Sequence, residues 1–184
     1  MRHREIVAIV KSSEFPSNVD YWRLCDSNGW TIAHEAAKQG KLPACFDQWS
    51  LSDKYGWTVA HEAARSGTLP KGFTQWDITY TLTGQSVAHI AALHGCLPEE
   101  FDMWWLADKS GRTVAHEAVR YRKLPDEFDM WDMATKDGWT VAHQAACRGH
   151  LPDGFNKWYL ADKDGLTVAH AAKGNGHLPE GVQV

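Results

Sequence analysis

Six histidines recur at nearly constant spacing, and their chemistry is the first question that the sequence raises. They stand 27 or 28 residues apart, at His34, His61, His89, His116, His143 and His170. Imidazole nitrogens bind zinc and move protons, but two nitrogens on one zinc lie no more than about 4.2 Å apart. Stacked helices are about 8–10 Å apart, so equivalent histidines on parallel helices do not converge. The spacing therefore predicts a structural role for the histidines and no metal site.

No other group of residues forms a catalytic set. The chain has no Gly-rich phosphate loop, no His-Glu-x-x-His sequence and no nucleophile in a distinct local context. Neighbours such as His61 and Glu62 point apart on a helix. Every such arrangement recurs with the histidines, whereas an active site needs one set of unlike groups in one pocket. We therefore expect no enzymatic activity and no cofactor.

The histidines belong to a larger repeated segment, as in residues 53–64, Asp-Lys-Tyr-Gly-Trp-Thr-Val-Ala-His-Glu-Ala-Ala. A fixed period in this range is typical of a solenoid, in which each unit buries its apolar face by stacking on its neighbours. The predicted repeats cover residues 26–52, 53–80, 81–107, 108–134, 135–161 and 162–184. Residues 1–25 are predicted to form a degenerate capping repeat, because an apolar Ile/Val run there replaces the histidine segment.

Each repeat contains signals for a turn followed by a short helix. The turn sequences end in Gly, as in Asp26-Ser27-Asn28-Gly29, because Gly accepts the positive φ of a turn. A Thr or Ser then stands where a helix N-cap belongs, and an Ala-rich segment follows that predicts a helix. This helix is expected to stop at a Gly at C′, at Gly40, Gly67, Gly95 and Gly149.

A second helix is predicted after the Leu-Pro pair that follows in each repeat. Pro favours the first turn of a helix, and acidic residues such as Asp126 and Glu127 would suit its dipole. A Phe lies three residues before a Trp in five copies, as in Phe73 and Trp76, which would give this helix one apolar stripe. These tryptophans, from Trp22 to Trp158, are predicted core residues.

Composition sets broad limits on location and partners. The net charge of −4 does not by itself imply a nucleic-acid or membrane partner, and the longest apolar run near the start is too short for a signal-peptide core or a membrane span. The four cysteines fall at different repeat positions and form no CxxC pair, which favours reduced thiols. We expect a cytoplasmic protein.

The repeated pattern resembles a known family. Residues 53–69 read Asp-x-x-Gly-x-Thr-x-x-His-x-Ala-Ala-x-x-Gly-x-Leu, which is similar to the first half of an ankyrin repeat. The likeness covers roughly residues 26–180 in six copies, although each unit is shorter than the usual length of about 33 residues. It implies an all-α, ankyrin-like helical solenoid with short turns between repeats. It also implies that each His ties the start of its helix to the neighbouring turn by hydrogen bonds.

The same resemblance suggests a binding face. The position between Gly and Thr holds Trp30, Trp57 and Trp139 in three copies but different residues in the others, and in ankyrin-like proteins it faces the inner groove. Trp and Arg are the residues that anchor interfaces. Alternatively, the Trp packs against its own turn, and the charges form a solvated face. The predicted partner-binding residues are Tyr55, Trp57, Gln85, His94, Arg112, Arg120, Tyr121, Arg122 and Trp139.

Charge differs between the two halves of the repeat. We call the turn and the Ala-rich helix of each repeat its turn-and-helix segment, and the Leu-Pro pair with the residues that follow it the Leu-Pro segment. The turn-and-helix segments hold 13 Lys and Arg against 9 Asp and Glu. The Leu-Pro segments, counted together with residues 15–25, hold 3 Lys and Arg against 12 Asp and Glu. A basic groove favours a partner protein with an acidic surface, so we predict a protein–protein interaction module that acts as an adaptor or an inhibitor. The alternatives are single-stranded nucleic-acid binding through a basic and aromatic groove, and self-assembly through an uncapped C-terminal end. The expected state is a monomer or a weak homo-oligomer that does not bind membranes.

Overall fold

The described chain is built from short helices joined by tight turns. The computed structural model describes residues 1–12, 19–121 and 124–184. Within those ranges the α-helices are α1 (His3–Lys11), α2 (Ile32–Lys38), α3 (Val59–Ser66), α4 (Val87–His94), α5 (Val114–Ala118), α6 (Val141–Ala146) and α7 (Val168–Gly174). Two 3₁₀ helices cover Val19–Arg23 and Val119–Tyr121. No helix in these ranges is long and apolar enough to span a membrane.

Each of α2–α7 is preceded by a narrow hairpin turn. One β-bridge closes each turn, as between Ser52 and Thr58. Inside the turn, the Asp53 carboxylate oxygen Oδ1 accepts hydrogen bonds from the backbone N–H groups of Tyr55 and Trp57, both at 2.9 Å. Within a unit, backbone hydrogen bonds join neighbouring turns, such as Lys54 N to the Asn28 carbonyl at 3.0 Å.

The predicted helix starts are confirmed, and so are the predicted ends of α2, α3 and α4, whereas α6 ends at Ala146, before Gly149. Thr31, Thr58, Ser86, Thr113, Thr140 and Thr167 are the N-caps of α2–α7. The glycines predicted to end the helices all have positive φ, and Gly67 and Gly95 are themselves the left-handed caps of α3 and α4. The fourth repeat has no glycine there, and α5 is short and passes into the 3₁₀ helix Val119–Tyr121.

The predicted second helix is wrong: the Leu-Pro segments form tight turns. The backbone N–H of each Phe donates to the carbonyl of the Pro three residues earlier, at 3.2 Å for Phe73 and Pro70. Gly72 and Gly154 occupy the third position of two such turns at φ +79 and +77, the conformation that a type II turn requires. The acidic residues at these sites are exposed turn residues, so no helix dipole acts on them.

The chain divides into two compact units, Met1–Cys96 and Leu97–Val184. In the first unit, α1 packs on α2, α2 on α3, and α3 on α4. Small side chains such as Ala60, Ala63 and Ala64 are fully buried, and they let neighbouring helices approach closely. Ile6 and Val10 of α1 are fully buried against this stack. In the second unit, α6 packs on α5 and α7.

An aromatic layer lies behind the helices of each unit. In the first unit, Phe46 contacts Trp49 edge to face at 5.0 Å, and Trp49 contacts Phe73 at 5.4 Å. The prediction of a buried Trp is confirmed for Trp22, Trp49, Trp76 and Trp104, which are at most 9% exposed. Trp131 and Trp158 also pack against a buried core cluster of the second unit, but both are only half-buried.

Candidate partner-binding surface

The repeated histidines form the framework on which the variable side chains stand. In α3, the His61 ring nitrogen Nδ1 lies 2.7 Å from the Thr58 hydroxyl, and Nε2 lies 3.3 Å from the Gln85 carbonyl of the next turn. The same pair of contacts recurs at His34, His116 and His143. Because a carbonyl only accepts, Nε2 carries the proton and Nδ1 accepts from the hydroxyl. The prediction that each His ties its helix start to the neighbouring turn is confirmed at these four positions.

Burial keeps these histidines neutral. It lowers the pKa of His61 and of His116 to about 4, and the hydrogen bond to the next turn opposes this shift only in part. Burial also lowers the pKa of His34 and His143. A neutral ring is the only form that can accept from Thr and donate to a carbonyl at the same time. In the described part of the chain, no three His, Cys, Asp or Glu side chains form a group that could hold a metal ion.

In the first unit, the predicted site residues differ in how far they are available to a partner. Trp57 stacks on His61 with ring centroids 5.1 Å apart, and its indole nitrogen Nε1 donates to Glu62 Oε2 at 3.1 Å. The packing role of this Trp is therefore real, and its ring remains half-buried. Tyr55 is 51% exposed, His94 is exposed, and Gln85 is half-buried.

In the second unit, the arginines converge on one buried carboxylate. Arg112 and Arg120 both form ion pairs with Glu117, whose side chain is 5% exposed. Arg112 also donates to the Gln144 amide oxygen at 3.4 Å. These contacts hold the Arg112 guanidinium in one place and compensate its charge. It is a less free anchor than the sequence suggests.

The other predicted residues of this unit belong to the fourth and fifth repeats. Tyr121, in the 3₁₀ helix that follows α5, is 48% exposed. Trp139 stacks on His143 at 4.8 Å, as Trp57 does on His61. Arg122 lies outside the described residues. Among the described predicted residues, Tyr55 and His94 of the first unit and Tyr121 of the second are thus the exposed ones.

Sequence reasoning missed the buried glutamates. Glu35, Glu62 and Glu117 directly follow a histidine, and 1–3% of each whole residue is exposed. Each lies five residues after the variable Trp or Arg, and this spacing was the available signal. Glu62 and Glu117 are paired with arginines, whereas the Glu35 oxygen Oε2 and the Trp30 nitrogen Nε1 are buried without a hydrogen-bond partner.

Comparison with known proteins identifies the architecture. No protein-family model and no curated protein sequence matches this chain. Its structure, however, matches 212 chains of solved structures. One of these is the ankyrin repeat domain of Bcl-3, described as a unique member of the IkappaB protein family. The match has a TM-score of 0.59 and 19% sequence identity, and it covers 92% of this chain and 87% of that one.

The chain has an ankyrin-repeat fold. The prediction of an all-α, ankyrin-like repeat architecture is confirmed. At 19% identity the likeness concerns the fold alone, so the partner of Bcl-3 does not carry over. What distinguishes this ankyrin-repeat fold is the replacement of the second helix by a Leu-Pro turn, which shortens the repeat.

Proposed function

We propose that this chain is a protein–protein interaction module that binds a partner through the variable side chains beside its histidine framework. One observation carries the proposal. The positions shared by the repeats, such as Thr58, His61 and Ala63, are buried, whereas variable positions such as Tyr55 and Tyr121 are exposed. Framework residues then maintain the stack, and the variable residues are free to recognise a partner.

The side chains at these positions suit an interface. Tyr55 and Tyr121 offer large, rigid contact areas, and aromatic and Arg side chains dominate binding energy at protein interfaces. Arg112 is held in place by Glu117 and Gln144, so little conformational freedom would be lost on binding. The excess of Lys and Arg in the turn-and-helix segments favours an acidic partner surface. A cytoplasmic adaptor or inhibitor would use such a surface.

The experiment compares the wild type with a Tyr55→Ala, His94→Ala, Tyr121→Ala variant. Proteins captured from the native host's lysate are identified by mass spectrometry, and the affinity of each purified candidate is then measured by calorimetry. We expect the variant to bind the true partner at least about tenfold more weakly, because an exposed aromatic that a partner buries contributes about 2 kcal/mol. Arg112 is left intact because its removal would take from the buried Glu117 one of its two ion pairs.

A matched control distinguishes specific binding at this surface from nonspecific hydrophobic binding. Trp105→Ala with Tyr159→Ala removes two other aromatics, which are 54% and 73% exposed, and should leave the affinity unchanged. Equal losses in both variants would refute the proposed surface. A captured partner that is RNA or DNA, with steep salt dependence, would instead support the nucleic-acid alternative. A partner enzyme that loses activity when bound would identify an inhibitor, and retained activity an adaptor.

A further inference from the structure

The Leu-Pro turns of the second unit border open hollows that are lined by none of the predicted partner-binding residues. One hollow of about 360 Å³ lies between two successive Leu-Pro turns, with Pro125, Leu151 and Pro152 among its lining residues. A second, of about 310 Å³, continues on the other side of Leu151 and Pro152. We call these two hollows together the Leu-Pro groove.

The groove exposes parts of two aromatic side chains whose equivalents in other repeats are buried. Trp131 lines the first hollow and is half-buried, whereas its equivalents Trp49 and Trp104 are each only 7% exposed. Phe155 lines the second hollow and is half-buried, whereas Phe128 is only 6% exposed. Both aromatic side chains are thus more exposed than these equivalents, although they also pack against the core of the second unit. Exposed apolar surface with a polar rim is typical of an interaction site.

The rim of the groove is acidic. Asp126 and Asp153 line the first hollow, and both side chains are exposed. A smaller adjoining hollow adds Asp129, along with Lys157. Within residues 124–134 and 151–161 there are five acidic residues and one basic residue. The charge complement of this rim is a basic chain.

We propose that the Leu-Pro groove binds an extended segment of a partner protein in which Lys or Arg alternates with aliphatic residues and proline. An extended left-handed proline-type chain advances about 9 Å per three residues, which matches the spacing of about 8–10 Å between stacked helices. One apolar residue in every three then enters successive hollows over Trp131 and Phe155. The basic residues between them reach Asp126 and Asp153.

The test uses a fluorescent synthetic peptide that repeats Arg-Leu-Pro, with fluorescence anisotropy as the readout. The wild-type chain should bind it, and Asp126→Asn with Asp153→Asn should weaken binding about tenfold, because two exposed ion pairs are lost. The control, Asp47→Asn with Asp77→Asn, makes the same charge change at exposed Leu-Pro-segment residues of the first unit. It should leave the affinity within about twofold.

Two further peptides separate the groove from general electrostatic attraction. A peptide repeating Arg-Gly-Ser should bind much more weakly, because it cannot cover Trp131 and Phe155. A peptide repeating Glu-Leu-Pro should bind only the charge-reversed variant, Asp126→Lys with Asp153→Lys.

The proposal is overturned if the Arg-Gly-Ser peptide binds as tightly as Arg-Leu-Pro, or if both Asn variants lose affinity equally. It is also overturned if the wild type does not bind the Arg-Leu-Pro peptide. Concentration-dependent dimers that Asp126→Asn with Asp153→Asn abolishes would make a second copy the occupant and likewise overturn it.

Discussion

At the scale of single residues, the histidines show how one side chain joins two repeats. The His116 ring lies 2.8 Å from the Thr113 hydroxyl and 3.1 Å from the Trp139 carbonyl of the next turn. Protonation of Nδ1 would remove its acceptor, and the Thr113 N–H, which also points at this nitrogen at 3.1 Å, would lose its partner. The network thus requires the neutral ring, and this requirement couples folding to pH.

The free energy of unfolding should therefore fall as the pH is lowered from about 6.5 to about 4. His61 and His116 have pKa values of about 4 in the folded chain, against about 6.5 when unfolded. Between these limits the unfolded chain binds protons that the folded chain does not, so each of the two histidines lowers stability by up to about 1.4 kcal/mol per pH unit. Above about pH 6.5 both states are neutral, and this contribution is constant.

Urea unfolding followed by tryptophan fluorescence, repeated between about pH 5 and 8, measures this slope above the range in which carboxylates titrate. His61→Gln should lower stability at neutral pH and reduce the slope. His94→Gln, at an exposed histidine, should change neither. A stability that stays constant from about pH 7 to 5 would contradict the neutral network.

At the scale of elements, local signals predicted the first half of each repeat and failed for the second. Thr at the N-cap, a run of Ala and a glycine act through short-range contacts, so α3 could be placed from sequence. The spacing of Pro70, Phe73 and Trp76 fits a helix with one apolar stripe as well as it fits a turn with edge-to-face aromatic contacts. Gly72 is the residue of this segment that distinguishes the two, because its positive φ suits a turn. The ion pairs of Glu117 are local, because Arg112 lies five residues before it and Arg120 three residues after it. The contact from Arg112 to Gln144 joins two repeats, and no local pattern specifies it.

Substitution of two glycines in the second unit measures how much the stacking of hairpin turns contributes to stability. Gly138 and Gly165 hold equivalent positions at φ +83 and +81. A Cβ on Gly138 would lie 2.9 Å from the backbone nitrogen of Lys163 in the next turn, whereas a Cβ on Gly165 would meet nothing within 4 Å. Gly165→Ala should cost about 1–2 kcal/mol, the strain of a left-handed Ala. Gly138→Ala should cost distinctly more, because the next turn must also move.

Chemical denaturation of both variants gives the two free energies directly, and their difference is the cost of separating adjacent turns. The backbone hydrogen bond from Lys163 to the Asp137 carbonyl, 3.0 Å long, would be disturbed in Gly138→Ala alone. Hydrogen exchange at the Lys163 amide should therefore rise in that variant. Equal costs for the two glycines would show that the turns do not stabilise each other.

At the scale of the whole molecule, the repeat divides charge as well as structure. The Leu-Pro segments are strongly acidic and the turn-and-helix segments mildly basic, so the small net charge of −4 conceals surfaces of opposite sign. The two proposed binding surfaces follow this division. The variable surface would favour acidic partners, and the Leu-Pro groove would favour basic ones. A chain with both can hold two different partners, as an adaptor requires.

A repeat stack also needs its ends closed, and α1 is predicted to close the first unit as part of the cap at residues 1–25. Ile6 and Val10 are fully buried, and the Lys41 ammonium Nζ donates to the Val10 carbonyl at 2.9 Å. Ile6→Asp would place a charge without a partner against α2, which should cost at least about 3 kcal/mol. Ala8 lies on the exposed side of the same helix, so Ala8→Asp should change stability by no more than about 0.5 kcal/mol.

Two measurements test the cap on these variants. Urea unfolding gives the stability difference, and sedimentation shows whether detachment of α1 leaves apolar surface of α2 free to associate. We expect Ile6→Asp to be less stable and to form oligomers as its concentration rises, while Ala8→Asp behaves as the wild type. If both substitutions have the same small effect, α1 does not cap the stack, because a buried end helix cannot accept a charge without loss.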